Sequence, residues 1–350
     1  MSVTGPQRRG IGAALGAAVL FGVTIPLAKS LLVGTSPWML AGLLYLGSGV
    51  GLASVSVFRR QRWNVPPRDL PWLVGAVLAG GILAPVLLML GLAATTASNA
   101  SLLLIFEGVF TSVIAWVVFR EHVNWRVGLG FLAISAGGGI LVWGGQVAGL
   151  SLLPSACILA ACLLWAIDNN LTRRVSLANA AHLSAIKGLV AGSANMTLAA
   201  LIGSPRPTVP FMAAAGLVGF LGYGVSLGLF VLALRELGAA RTSAYFATAP
   251  FLGALAAIAM LSEPVTGQLI IAGSLMALGV WLHVTESHEH MHVHEELEHE
   301  HFHQHDEHHQ HHEGPELLLS HSHWHRHGPL RHSHPHFPDA HHRHDHSSSD

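Results

Sequence analysis

Charge is scarce in this sequence. Asp, Glu, Lys and Arg make up 11% of its 350 residues, where a soluble domain carries about a quarter. That shortage excludes an ordinary soluble domain and leaves no nucleic-acid partner to expect. Cysteine is scarcer still: Cys157 and Cys162 are the only two. They stand five apart in one apolar segment, on different sides of a helix, so a disulfide between them is excluded and both read as small buried residues. No nucleophile triad, phosphate-binding loop or other enzyme motif occurs, and the chain is not expected to be an enzyme. No cleavable signal is expected either. Arg8 and Arg9 precede an apolar run too long for a signal-peptide core, which reads as a retained signal anchor.

Apolar length is what the chain has instead. Hydrophobic residues make up 51% of it, and mean hydropathy stays positive although residues 286–350 are intensely polar. Residues 1–285 therefore read as a membrane domain and 286–350 as a hydrophilic tail. Ten apolar segments approach the ~20 residues a spanning helix needs: 11–32, 37–58, 71–94, 98–119, 126–146, 152–171, 180–202, 211–234, 240–261 and 266–284. Their glycines, such as Gly128, Gly130 and Gly137–Gly139, let helices approach closely in lipid. Pro26, Pro85 and Pro250 are expected to bend or break their segments, and such breaks in a membrane line cavities.

Basic residues orient the chain. With the N-terminus in the cytoplasm, twelve arginines fall inside: Arg8, Arg9, Arg59, Arg60, Arg62, Arg68, Arg120, Arg126, Arg173, Arg174, Arg235 and Arg241. Only Arg206 falls outside, with Lys29 near the outer end of the first segment. Both chain ends are thus expected in the cytoplasm of a bacterial-type inner membrane.

The chain is also doubled. Residues 97–125 hold one carboxylate, Glu107, inside an apolar run and close on Arg120–Glu121–His122. A related stretch returns at 239–267: Ser101 falls on Ser243, Glu121 on Glu263, Val123 on Val265 and Gly137 on Gly279. Residues 1–147 and 148–285 read as two repeats of five helices. An odd number turns the second repeat upside down, a recurrent plan of secondary transporters with the substrate site at mid-membrane between the halves.

The doubled pattern resembles the EamA family of the drug/metabolite transporter superfamily. The likeness rests on Phe106–Glu107–Gly108–Val109–Phe110 with Arg120–Glu121–His122–Val123, and on Ala249–Pro250–Phe251 with Ser262–Glu263–Pro264–Val265. Gly108 stands for the family's proline in the first half, and Arg120 and Ser262 for the glycine before each terminal Glu. Leu164–Trp165–Ala166 and Leu171–Thr172–Arg173–Arg174 in the sixth segment are similar as well. The resemblance covers about residues 8–285. It implies an all-α membrane protein of ten transmembrane helices in two inverted five-helix repeats. The first four helices of each half would build a cavity, with the fifth and tenth at the periphery.

Ionisable groups at bilayer depth are costly and mark function by default. Glu107 lies about nine residues from the outer end of its segment, ~13 Å deep at 1.5 Å per residue. Lys187 is about seven residues from the inner end of the seventh segment. The two are expected to pair across the cavity, as a substrate- or proton-linked site or as a neutralised pair that locks the bundle. Asp168, Asn169 and Asn170 close the sixth segment, as a polar entrance or simply a wet helix end; Asn99 joins the pathway candidates. Lys29 is expected to reach the outer surface. Glu121 and Glu263 are expected to hold turns, and His182 to be interfacial. Trp38, Trp63, Trp72, Trp125 and Trp281 lie near segment ends, as belt residues do.

The tail holds 23 of the 26 histidines. They recur as His288, His290, His292 and His294; His299, His301, His303 and His305; His321, His323, His325 and His327; and His332, His334 and His336. Two apart they share a side of an extended chain, and four apart a helix face. Neutral imidazole binds zinc, nickel, cobalt and copper. With almost no apolar residues besides Leu317–Leu319, the tail is expected to be largely disordered without metal. The reading is an EamA-type secondary transporter that exports a small metabolite by alternating access. It needs no cofactor, carries a metal-binding tail, works in the lipid bilayer and leaves a homodimer open. The alternative is a permease for divalent transition metals, fed or regulated by the tail. Against that, the membrane segments hold no His-x-x-x-His or paired-Cys ligand set.

Overall fold

The computed structural model describes residues 5–58, 67–119, 125–144, 152–175 and 180–285, and in the tail 288–294, 297–303, 321–327 and 330–336. Met1–Glu286 and Ser287–Asp350 are separate compact units. The first holds ten long helices: α1 Gly5–Leu31, α2 Pro37–Phe58, α3 Leu70–Ala93, α4 97–119, α5 Trp125–Gly144, α6 Leu153–Val175, α7 Ala180–Leu201, α8 Val209–Leu237, α9 239–261 and α10 Gly267–Val284. Among the described residues, nine of them are long and apolar enough to cross a membrane. The exception, α7, is interrupted by His182, Ser184, Lys187, Ser193, Asn195 and Thr197. Helices are the only open-ended way to satisfy every backbone group inside hydrocarbon. This is a multi-pass membrane protein.

Four helices are irregular, and they match in pairs. The third helix of each half contains a widened stretch, Val77–Leu83 in α3 and Phe220–Val225 in α8. The fourth helix of each half is broken, between Ala97–Leu103 and Phe106–Phe119 in α4 and between Ala239–Phe246 and Ala249–Leu261 in α9. The internal repeat is thus written into the backbone faults as well as the residues. Of the three prolines, Pro26 leaves α1 unbroken, Pro85 follows the widened stretch of α3, and Pro250 opens the second piece of α9. Glu107 and Pro250 are each second in their helical pieces, while the constant offset of the repeat pairs Pro250 with Gly108.

The halves are inverted. Gly10, near the start of α1, packs on Glu236 and Leu237 at the end of α8. Lys29, near the end of α1, hydrogen-bonds carbonyls at the end of α3. The equivalent helices α3 and α8 therefore run in opposite directions. The halves meet along α2 and α7, where Gly49 and Gly188 face each other. A Cβ on Gly188 would lie 2.7 Å from the Gly49 Cα, so only glycine allows this approach. In lipid, such backbone-to-backbone packing replaces the hydrophobic drive between helices. The fifth helices pair with each other: Gln268 of α10 donates to the Ile140 carbonyl of α5 at 2.7 Å, and His283 contacts the Val127 carbonyl at 3.0 Å.

One helix end departs from expectation. α6 continues to Val175 instead of stopping at 171, carried past the apolar run by Thr172–Arg173–Arg174. Asp168, Asn169 and Asn170 therefore lie inside the helix rather than at its end, the first and third buried and Asn169 exposed.

In the tail, where disorder was expected, the described segments are four strands: β1 His288–His294, β2 Leu297–His303, β3 His321–His327 and β4 Leu330–His336. β1 pairs antiparallel with β4, and β2 with β3. The physical reason lies in the pattern: strict alternation has the period of a strand. The register opposes His288 to His336, His290 to His334 and His292 to His332 in one ladder. In the other it opposes His299 to His325, His301 to His323 and His303 to His321.

Candidate functional site

The site begins with a proline. Pro85 has no N–H for the Gly81 carbonyl one turn earlier, so the carbonyls before it need other donors. Neighbouring helices supply them, as they must at membrane depth. Tyr45 Oη of α2 and Trp165 Nε1 of α6 both donate to the Gly80 carbonyl, each at 2.9 Å. Asn195 Nδ2 of α7 lies 3.3 Å from both the Gly81 and Ile82 carbonyls. The widened stretch of α3 is thereby sewn to three helices.

One turn after Trp165, Asp168 lies buried against Gly80, where any side chain on that glycine would collide with its carboxylate. Lys187 Nζ of α7 donates to both carboxylate oxygens, at 2.6 and 2.5 Å, and Thr172 Oγ1 donates to Oδ1 at 2.9 Å. The expected Glu107–Lys187 pair is therefore not what forms. Lys187 is held by Asp168, which the longer α6 carries to the right depth.

Glu107 opens the second piece of α4. At the break its N–H bonds the Leu104 carbonyl at 3.1 Å instead of completing a regular turn. The Leu103 carbonyl so released receives the Cys162 thiol at 3.6 Å. A carboxylate in a helix's first turn is favoured by the exposed N–H groups there. Asn169 Nδ2 donates to Glu107 Oε1 at 3.0 Å, and Asn170 Nδ2 to the Thr111 carbonyl at 3.3 Å. Glu107, Asp168 and Lys187 lie within electrostatic range of one another, as does Tyr45 of both carboxylates.

A row of rings borders this cluster. Tyr45 and Tyr223 have centroids 5.6 Å apart, Tyr223 and Phe21 6.0 Å, and Phe21 and Phe246 5.5 Å. Tyr223 belongs to the widened stretch of α8. Since Tyr45 bonds the widened stretch of α3, the two rings bridge the matching faults of the two halves. Phe21, Tyr45, Tyr223, Glu107 and Lys187 are all half-buried, the three rings packing against the buried apolar clusters.

Other candidates lie elsewhere. Lys29 Nζ donates to the carbonyls of Leu92 at 2.7 Å, Ala93 at 3.1 Å and Thr95 at 2.8 Å. It closes the end of α3 and stays partly exposed there. Glu263 accepts from the Ala97 and Ser98 N–H groups at 2.6 and 2.8 Å, capping α4. Asn99 sits in that same first turn, its N–H on Thr96 Oγ1, about 12 Å along the helix from Glu107. His182 is buried in α7. Both cysteines are free. Glu121 and His305 lie outside the described residues, and the other fourteen candidate tail histidines are described in their backbone alone. Among the described residues, no three His, Cys, Asp or Glu side chains gather as a metal site. The sequence reading missed Tyr45, Trp165, Asn195 and Tyr223; the signal for the first three was the Gly80–Gly81 pair just before Pro85.

Two inverted halves, with broken helices meeting at a polar, ring-walled centre, define a membrane transport protein. The chain belongs to the EamA-like transporter family, whose model matches residues 8–143 and 153–285, within the drug/metabolite transporter superfamily. It is 27% identical over 288 residues to an uncharacterized transporter of Methanothermobacter thermautotrophicus, covering 76% of this chain and 83% of the relative. It is 23% identical over 280 residues to a protein of Chlamydia muridarum named S-adenosylmethionine/S-adenosylhomocysteine transporter, covering 75% of this chain and 87% of that one. A solved crystal structure shares the fold at a TM-score of 0.59 and 18% identity, covering 80% of this chain and 98% of the other.

Proposed function

We propose that this protein is a secondary transporter that carries a small organic cation or zwitterion by alternating access. The solute is held between Glu107 and the rings of Phe21, Tyr45 and Tyr223. The observation that carries the reading is the division of charge. Lys187 gives both its short bonds to Asp168, while Glu107 is met by the neutral amide of Asn169. The cluster is left with one net negative charge, which a cationic solute neutralises in a setting where bare charge is costly. Half-buried rings beside it add cation–π and stacking attraction, worth about 0.5–2 kcal/mol per contact. The substrate in the name of the Chlamydia muridarum relative includes a cation that carries a purine ring, and a solute of that kind suits a carboxylate beside aromatic rings.

On the arginine asymmetry, both chain ends are assigned to the cytoplasmic side of an inner-type membrane. Export is the direction expected of the transporter. The permease alternative has no observation behind it in the membrane unit, where one carboxylate is taken by a lysine and the other by an amide.

The test is uptake and counterflow in proteoliposomes across amino acids, nucleosides, quaternary amines, S-adenosylmethionine and organic anions. Cations or zwitterions should be carried, and Glu107→Gln should lower their transport at least tenfold with normal insertion. Transport of anions alone, or a full rate in Glu107→Gln, overturns the reading.

A further inference from the structure

The tail lies outside the transport reading, yet its strand register carries a chemistry of its own. Four short strands place 14 of the chain's 26 histidines at alternate positions. Alternate residues of a strand share one face, so the pairing gathers seven histidines on one face of each ladder, four from one strand and three from the other. The opposite face is mixed: Glu289, Met291 and Val293 stand against Pro335, Ser333 and Arg331.

We propose that each ladder is a binding site for divalent transition metals, in which two neighbouring histidine pairs take one ion between the strands. In the β1–β4 ladder these are His290 opposite His334 and His292 opposite His332. Directly opposed residues of an antiparallel pair have Cβ atoms about 4.5–5.5 Å apart, and the next pair on the same face is about 7 Å along. Four imidazoles at the corners of such a rectangle can converge on one ion with metal–nitrogen bonds of about 2.0–2.1 Å. An all-nitrogen donor set selects zinc, cobalt, nickel and copper and leaves magnesium and calcium in solution.

The register separates this site from the general stickiness of a histidine-rich chain. His290 and His334 are 44 positions apart, so ligands from both strands make each site depend on both arms. An ion also fastens a two-stranded ladder that is marginal by itself.

The experiment titrates zinc into chelator-stripped, full-length protein in detergent, with copper as a spectroscopic probe of bound nitrogens. His290→Ala/His292→Ala and His332→Ala/His334→Ala should each abolish the same high-affinity zinc, and the fourfold variant should lose no more than either pair. Copper in the wild type should report three or four nitrogen ligands. A control with His308, His309, His311 and His312 changed to Ala should keep that zinc. Every substitution lies outside Met1–Glu286, so elution as the wild-type species verifies the fold. Additive losses in the two arms would mean independent local sites and would overturn the proposal. So would equal loss in the control, absence of zinc binding, or displacement of zinc by equimolar magnesium.

Discussion

At the scale of single residues, the buried carboxylates divide their work. Asp168 is structural: it lies in the space Gly80 leaves and holds Lys187 by two short bonds. Removing one partner of such a pair strands the other charge, at a cost of about 3–5 kcal/mol. Asp168→Asn and Lys187→Met should each therefore lower the unfolding temperature in detergent sharply, while the double variant recovers most of the loss. Additive losses in the double variant would show that the pair does not act as a unit. Glu107, Asp168, Asn169 and Lys187 were legible as candidates because each interrupts an apolar run. Their partnerships were not, since those depend on where α6 ends. Reading that end at residue 171 made Asp168 a solvated cap, whereas four more residues of helix make it the partner of Lys187.

At the scale of elements, the irregular helices build the site. Without Pro85 the Gly81 carbonyl would regain its helical donor and the widened stretch would lose its cause. Pro85→Ala is expected to leave the protein stable and lower transport several-fold, as the Gly81 carbonyl no longer needs the Asn195 amide and the widened stretch that presents Gly80 to Tyr45 and Trp165 closes. Unchanged transport would remove that stretch from the mechanism. Glu263 reaches from the second half to cap α4 of the first. Glu263→Ala should cost about 1–2 kcal/mol of stability, at the upper end for a helix cap because the bonds are charge-assisted. Thermal unfolding in detergent measures it, and an unchanged transition would contradict the role. The ten helices and most of their limits were legible from apolar length. The widened turns were not: a stretch such as Val77–Leu83 has an ordinary apolar composition, and its outward marks are the glycine pair inside it and the proline two residues after it.

At the scale of the whole molecule, two inverted halves meet along glycine-lined α2 and α7, and their matching faults are bridged by Tyr45 and Tyr223. The repeat was legible from Glu121 with Glu263 and Gly137 with Gly279, and inversion followed from five helices per half. Reporter fusions after Gly34, Gly149 and Ser204 should read outside, and those after Arg62, Arg174 and Glu286 inside; an outside C-terminus would refute the orientation. The central claim is that the space around Glu107 opens to each side of the membrane in turn. Thr111, one turn from Glu107 and 3.4 Å from the Asn169 amide, reports on it directly. In a chain carrying Cys157→Ser and Cys162→Ser, a Thr111→Cys thiol should react with a membrane-impermeant reagent applied from either side, and transported substrate should slow both reactions. Reaction from one side alone, with and without substrate, would contradict alternating access at this site.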